Sequence, residues 1–180
     1  MRKKMTEGKT IRKYKWFWAW QDEKEEAWLR EMSQKGLHLA SLGFPGFYHF
    51  TAGEPANYVY RLDFVTDNKD YENYLQLFKD AGWRHLGHMG GWQYFRTLAG
   101  EGELPEIYSD TDYKIQKYQR LVAYLAIFLT TFLPISIVVF TRDNVPPYYP
   151  VIKLVYAVFF IVYAFAMVKL FGRIRELKHL

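Results

Sequence analysis

The chain has 180 residues and a mass of 21.5 kDa, enough for one ordinary domain, or for a small domain with an added segment. Half of it is apolar and 19% is aromatic, which excludes general disorder, and the lack of cysteine excludes disulfide scaffolds, thiolate metal sites and a cysteine nucleophile. The net charge of +5 invites a nucleic-acid reading, but residues 1–15 carry +6, residues 16–112 carry −8 and residues 113–180 carry +7. An acidic domain between basic flanks is a poor binder of a phosphate backbone, so no nucleic acid is expected as partner.

Residues 1–11 read as a basic flexible tail. It has two readings: a segment lying on anionic lipid, or a docking arm for a macromolecule. GKT at 8–10 is not a phosphate loop. Lys3 stands where the motif needs its first glycine, and no strand precedes it. No apolar run follows the basic start, so it does not read as a signal peptide.

Residues 12–112 are expected to form a cytoplasmic α+β domain of two repeats, 12–53 and 57–98. A shift of 46 residues aligns the chain with itself. Tyr14, Trp16 and Trp18 meet Tyr60, Leu62 and Phe64 with the alternation of strands. Asp22 meets Asn68 as helix N-cap, and Glu25 completes a capping-box variant with Asp22. Trp28, Leu29 and Met32 meet Tyr74, Leu75 and Phe78 as the apolar faces of two helices. Gly36 meets Gly82 at the helix ends, and Phe47 and Phe50 meet Trp92 and Phe95 in a further strand. Turns are expected at Gly43-Phe44-Pro45-Gly46 and Met89-Gly90-Gly91. Each repeat thus reads strand–helix–strand–strand, a ferredoxin-like or gyrase-inhibitor-like arrangement. The two sheets are expected to pair and to bury one face under both helices.

Residues 99–112 read as a polar connector and 113–120 as a helical juxtamembrane lead-in. Leu121–Phe140 is twenty residues without a charge, about 30 Å of helix and so a transmembrane span. Pro134 interrupts it, with Thr130, Thr131 and Ser136 able to re-satisfy the freed backbone groups. Leu154–Val168 is a further uncharged stretch, and Lys153 and Lys169 can snorkel, giving a second span over 149–171. The loop 141–148 carries Arg142 offset by Asp143. Lys114, Lys117 and Arg120 lead in, and Lys169, Arg173 and Arg175 lead out towards a basic tail, 172–180. The positive-inside rule places both termini in the cytoplasm, in a cell-membrane protein with two spans that contact membrane lipid.

The stretch from Trp16 to about Arg120 resembles the bacterial domain-of-unknown-function family numbered 2812. The residues that carry it are EEAWLREMSQKG (25–36), FYHF (47–50), GEPANYVYRLDF (53–64), AGW (81–83), GGWQYFR (90–96) and YSD (108–110), followed by two spans. The resemblance implies a membrane-associated protein, often encoded near PadR-type repressors, with no established activity. The topology is also similar to the gyrase-inhibitor-like fold, which implies a cleft between repeats for amphipathic or cationic small molecules.

No catalytic residue, metal site or cofactor is expected. His85 and His88 would face opposite sides of a strand, His38 and His49 read as half-exposed sheet positions, and no hydrolase or metallopeptidase motif is present. In YVYRLDF, Tyr58, Tyr60, Leu62 and Phe64 share one face, expected under the helices. Arg61 and Asp63 share the other, expected to be open and in a central strand. They form either a surface ion pair or the polar centre of a cleft rimmed by Phe17, Tyr48, Trp92 and Tyr94. Rings with a carboxylate suit an amphipathic cation. The sequence therefore points to a membrane-anchored, non-enzymatic sensory or regulatory module with a ligand or partner on its open sheet face. The alternative is a protein-interaction or assembly subunit of a membrane complex, since Ala123, Ala126, Thr130 and Ser136 permit close helix contacts. No carboxylate lies in the spans, so transport by this chain alone is not expected.

Overall fold

The computed structural model describes residues 10–43, 46–66, 70–100, 111–143 and 145–179. The basic tail up to residue 9, the Phe44-Pro45 turn, Asn68 and most of the polar connector lie outside them. The chain divides into two compact units, residues 1–109 and 110–180.

The first unit runs β1 (Thr10–Tyr14), α1 (Asp22–Gln34), β2 (Leu37–Gly43), β3 (Phe47–Ala52), β4 (Tyr58–Phe64), α2 (Tyr71–Asp80), β5 (Arg84–Met89) and β6 (Trp92–Leu98). It is an α+β domain of two three-stranded antiparallel sheets, ordered β1-β3-β2 and β4-β6-β5. Each half therefore has the order strand, helix, strand, strand, with the last strand central. Strand β1 is shorter than the Tyr14–Trp18 alternation predicts. It ends at Tyr14, and 15–18 is irregular chain.

The helices do not share one face as the sequence pattern suggests. Trp28, Leu29 and Met32 of α1 pack in a single core with Leu39, Tyr48 and Phe50 of the first sheet and Tyr60, Leu62 and Tyr94 of the second. Tyr74 and Phe78 of α2 pack instead on Val59, Trp83 and Phe95, on the opposite face of the second sheet. That sheet is covered on both sides, which is why both faces of β4 are largely buried. Strand β4 is also an edge strand, not a central one. Glu26 of α1 covers its edge: Leu62 N donates to Oε1 at 2.7 Å, and Arg61 Nη1 to Oε2 at 2.9 Å. An edge amide that would otherwise be left open is thereby satisfied.

Gly36 and Gly82 end α1 and α2 at φ +76° and +82°, the left-handed region that a Cβ disfavours. At Gly36 a Cβ would also lie 2.5 Å from the Gly53 carbonyl oxygen, whereas at Gly82 it would meet nothing. Gly82→Ala should cost about 1–2 kcal/mol from backbone conformation alone. Gly36→Ala should cost clearly more, read as a larger drop in the unfolding midpoint.

The second unit is a helical hairpin of α3 (Thr111–Thr141) and α4 (Tyr149–Leu177). The lead-in is the start of α3 itself. Contacts run antiparallel: Tyr163 donates to the Leu125 carbonyl, Phe132 meets Phe159, and Lys153 donates to the Phe140 carbonyl. Both helices are long and apolar enough to cross a membrane, and only 11% and 0% of their most apolar windows are buried. A core helix of a soluble protein would be mostly covered. The Thr130 and Thr131 hydroxyls donate to the Ile127 carbonyl and Ser136 to that of Leu133. Among the flanking cations Lys169 and Arg175 are exposed, while Lys114, Arg120 and Arg173 are half-buried. Lys117 is buried, its ammonium 5.2 Å from the Tyr118 ring.

Candidate functional site

Asp22, Glu25 and Glu26 sit in the first turns of α1, where carboxylates suit the positive end of the helix. Their spacing also puts them on the stripe that carries Trp28, Leu29 and Met32, so the helix buries them with its apolar face. Asp22 is 2% exposed and Glu25 7%. The Tyr48 hydroxyl, on β3, donates to Glu25 Oε1 at 2.8 Å, and that of Tyr94, on β6, donates to the same oxygen at 2.7 Å. One carboxylate oxygen thus joins the two sheets. The other, Oε2, keeps acceptor capacity.

Burial raises the Glu25 pKa above its ordinary value. The Tyr94 and Tyr48 hydroxyls offset part of that rise, and the Asp22 charge adds to it. Burial, followed by the Glu25 charge, pushes both tyrosines far above the usual phenol range, so they remain donors.

Above this carboxylate lies a cleft of about 300 Å³ between the two halves, at the small end of the range for small-molecule sites. Trp16, Phe17, Trp18, Tyr48, Trp92 and Tyr94 line it, with Asp22, Glu25, Leu62 and Met89. Phe17 packs 6.5 Å from Tyr48, and Trp92 5.3 Å from Phe64, by ring centroids.

The four aromatic residues expected at a cleft rim, Phe17, Tyr48, Trp92 and Tyr94, therefore line one cleft. Arg61 and Asp63 are not in it. Arg61 is held by Glu26. Asp63 is 3% exposed and faces α2, where the Tyr74 hydroxyl donates to Oδ2 at 2.9 Å and Phe64 N to Oδ1. The open polar face expected for this pair is occupied by α2, and the ion pair between them is replaced by separate partners. The carboxylates at the cleft are Asp22 and Glu25, which the sequence pattern reads as an N-cap and its capping-box partner; the N-cap is instead Gln21, without a side-chain cap hydrogen bond, and Asp22 is the first helical residue. The signal that marks them is their place on the apolar stripe.

The second sheet carries a bulge between His85 and Gly87. It brings His85 and His88 opposite Phe95 and Gln93, on one face, where simple alternation would separate them. Gln93 Oε1 accepts from the Tyr71 hydroxyl at 2.8 Å and lies 3.0 Å from His85 Nε2. Burial lowers the His85 pKa. Among the described residues no group of three or more His, Asp or Glu is arranged to hold a metal ion.

A raised native pKa means that the folded state binds the Glu25 proton more tightly than the unfolded chain does. The stability this contributes is fully present below the ordinary carboxylate pKa and is lost as pH rises through the native value. Glu25→Gln should therefore raise the unfolding midpoint at pH 7, with the gain disappearing near pH 4. Tyr94→Phe removes a hydrogen bond to a buried carboxylate and should cost about 1.5–3 kcal/mol at pH 7, by chemical denaturation.

No curated protein and no solved structure matches the chain. The family described as protein of unknown function, DUF2812, matches residues 21–132. The match takes in all of α1 with its carboxylates, both sheets except β1, and α3 as far as Phe132. Because it spans more than half of the 180 residues, the chain belongs to the DUF2812 family of proteins of unknown function.

Proposed function

We propose that this chain is a membrane-anchored, non-enzymatic regulatory module that takes an amphipathic organic cation into the cleft between its two halves. The observation that carries this reading is Glu25, a carboxylate 7% exposed at the base of an aromatic-lined cleft. Aromatic faces attract a cation through their quadrupole and its apolar groups by burial. Glu25 supplies a desolvated counter-charge, and a bound cation favours its ionised form. The high pKa of both tyrosines supports binding rather than chemistry, because neither is poised as a base. The ligand site is this cleft rather than an open sheet face. The matching strand order of the two halves supports an origin by duplication.

Ligand binding would signal by shifting a pre-existing equilibrium of the hairpin or of its oligomer. The basic residues Lys114, Arg120, Lys169, Arg173 and Arg175 support cytoplasmic ends, with the 141–148 connector outside.

Titrating the full-length protein in detergent with tetraphenylphosphonium should give a saturable change in tryptophan emission. Glu25→Gln should weaken binding at least about tenfold, or 1.4 kcal/mol. No saturable response from folded protein would overturn the cation reading and favour an assembly subunit. Topology is tested separately, and the lack of native cysteine makes labelling clean. Val145→Cys should react with an impermeant maleimide in intact cells, and Lys178→Cys only after permeabilisation; the reverse pattern inverts the protein.

A further inference from the structure

The segment between β1 and α1 leaves large aromatic rings in solvent. Tyr14 is 62% exposed, Trp16 49% and Trp18 42%. The rings support one another: Trp16 meets Trp18 edge-on at 5.8 Å, and Trp18 stacks on Trp20 at 5.3 Å. Tyr14 and Trp16 also both flank Gly46, where a Cβ would sit 3.1 and 3.5 Å from their ring carbons. The result is a cluster of exposed rings at the end of β1 and just after it.

Exposed indoles have an apolar body and a polar N–H, the combination enriched where lipid meets water. The charge around them is polarised. Arg12, Lys15 and Lys24 are exposed, whereas Asp22, Glu25 and Glu26 are buried and the exposed Glu23 adjoins Lys24. Residues 1–11 add a net +3 by sequence. The chain also carries two helices of spanning length, so a bilayer is within reach of the domain.

We propose that Tyr14, Trp16 and Trp18 form an interfacial anchor that seats the first unit on an anionic bilayer surface. The rings enter the headgroup boundary, and the exposed Arg12 and Lys15 attract acidic lipid. Trp16 and Trp18 also line the cleft, but this contact needs no ligand, and its test reads lipid contact in the absence of any cation.

All six tryptophans precede residue 100, and neither span contains one, so indole emission reports the first unit alone. The full chain is reconstituted into vesicles of phosphatidylcholine and phosphatidylglycerol with shallow-brominated acyl chains. Bromine should quench up to about a third of the emission, as expected if two of six indoles reach the interface. The Trp16→Ser/Trp18→Ser double variant should lose that quenching, and wild type in phosphatidylcholine alone should show clearly less. Absent quenching in wild type, undiminished quenching in the variant, or equal quenching with and without the anionic lipid would each overturn the proposal.

Discussion

Glu25 and Glu26, adjacent on α1, hold the two sheets of the first unit around one helix. Glu25 accepts a tyrosine hydroxyl from β3 and another from β6, and Glu26 accepts the backbone and side chain of β4. Neither three-stranded sheet can bury its apolar face alone at this size. Helix α1 supplies the shared surface, and its carboxylates fix how the halves meet. An apolar side chain at position 26 would leave the β4 edge amide without that partner, a penalty in a site almost closed to water.

Burying an acid is costly unless its oxygens are satisfied. At Glu26 both are used. At Glu25 both hydroxyls converge on one oxygen, and the residue also lines the cleft. The protein therefore carries a carboxylate whose burial works against stability at neutral pH, as its raised pKa requires. Such a conflict between local stability and the rest of the fold is common at functional sites. In the proposed reading, a cation entering the aromatic cleft relieves it.

The hairpin follows different rules. Its apolar residues stay largely uncovered, as suits a lipid solvent, and its antiparallel contacts are few and polar-assisted, with Tyr163 donating to the Leu125 carbonyl. Uncovered apolar residues recur in the first unit only in scattered places and in the Tyr14–Trp18 segment. That segment is the part of the domain whose surface chemistry most resembles that of a membrane boundary.

The two long apolar helices, the strand–helix–strand–strand order and the helix-ending glycines were legible because each depends on local information: hydropathy, period and positive φ. The rim residues Phe17, Tyr48, Trp92 and Tyr94 were legible as aromatic positions in strands or beside them. The carboxylate beneath them was not. Asp22 and Glu25 have the acidic character expected of a first helical turn, and only the packing of α1 against both sheets turns them inward. Asp63 failed in the opposite sense. Its alternation was read correctly, but whether that face is open depends on where α2 folds back, and α2 covers it. Sequence by itself determined the order of elements, the two long apolar helices and the aromatic content, since these follow from neighbours along the chain. Tertiary structure alone decided which acid faces the cleft and which pairs with a strand edge. Those outcomes depend on residues 23 to 69 positions apart meeting in a low-dielectric interior.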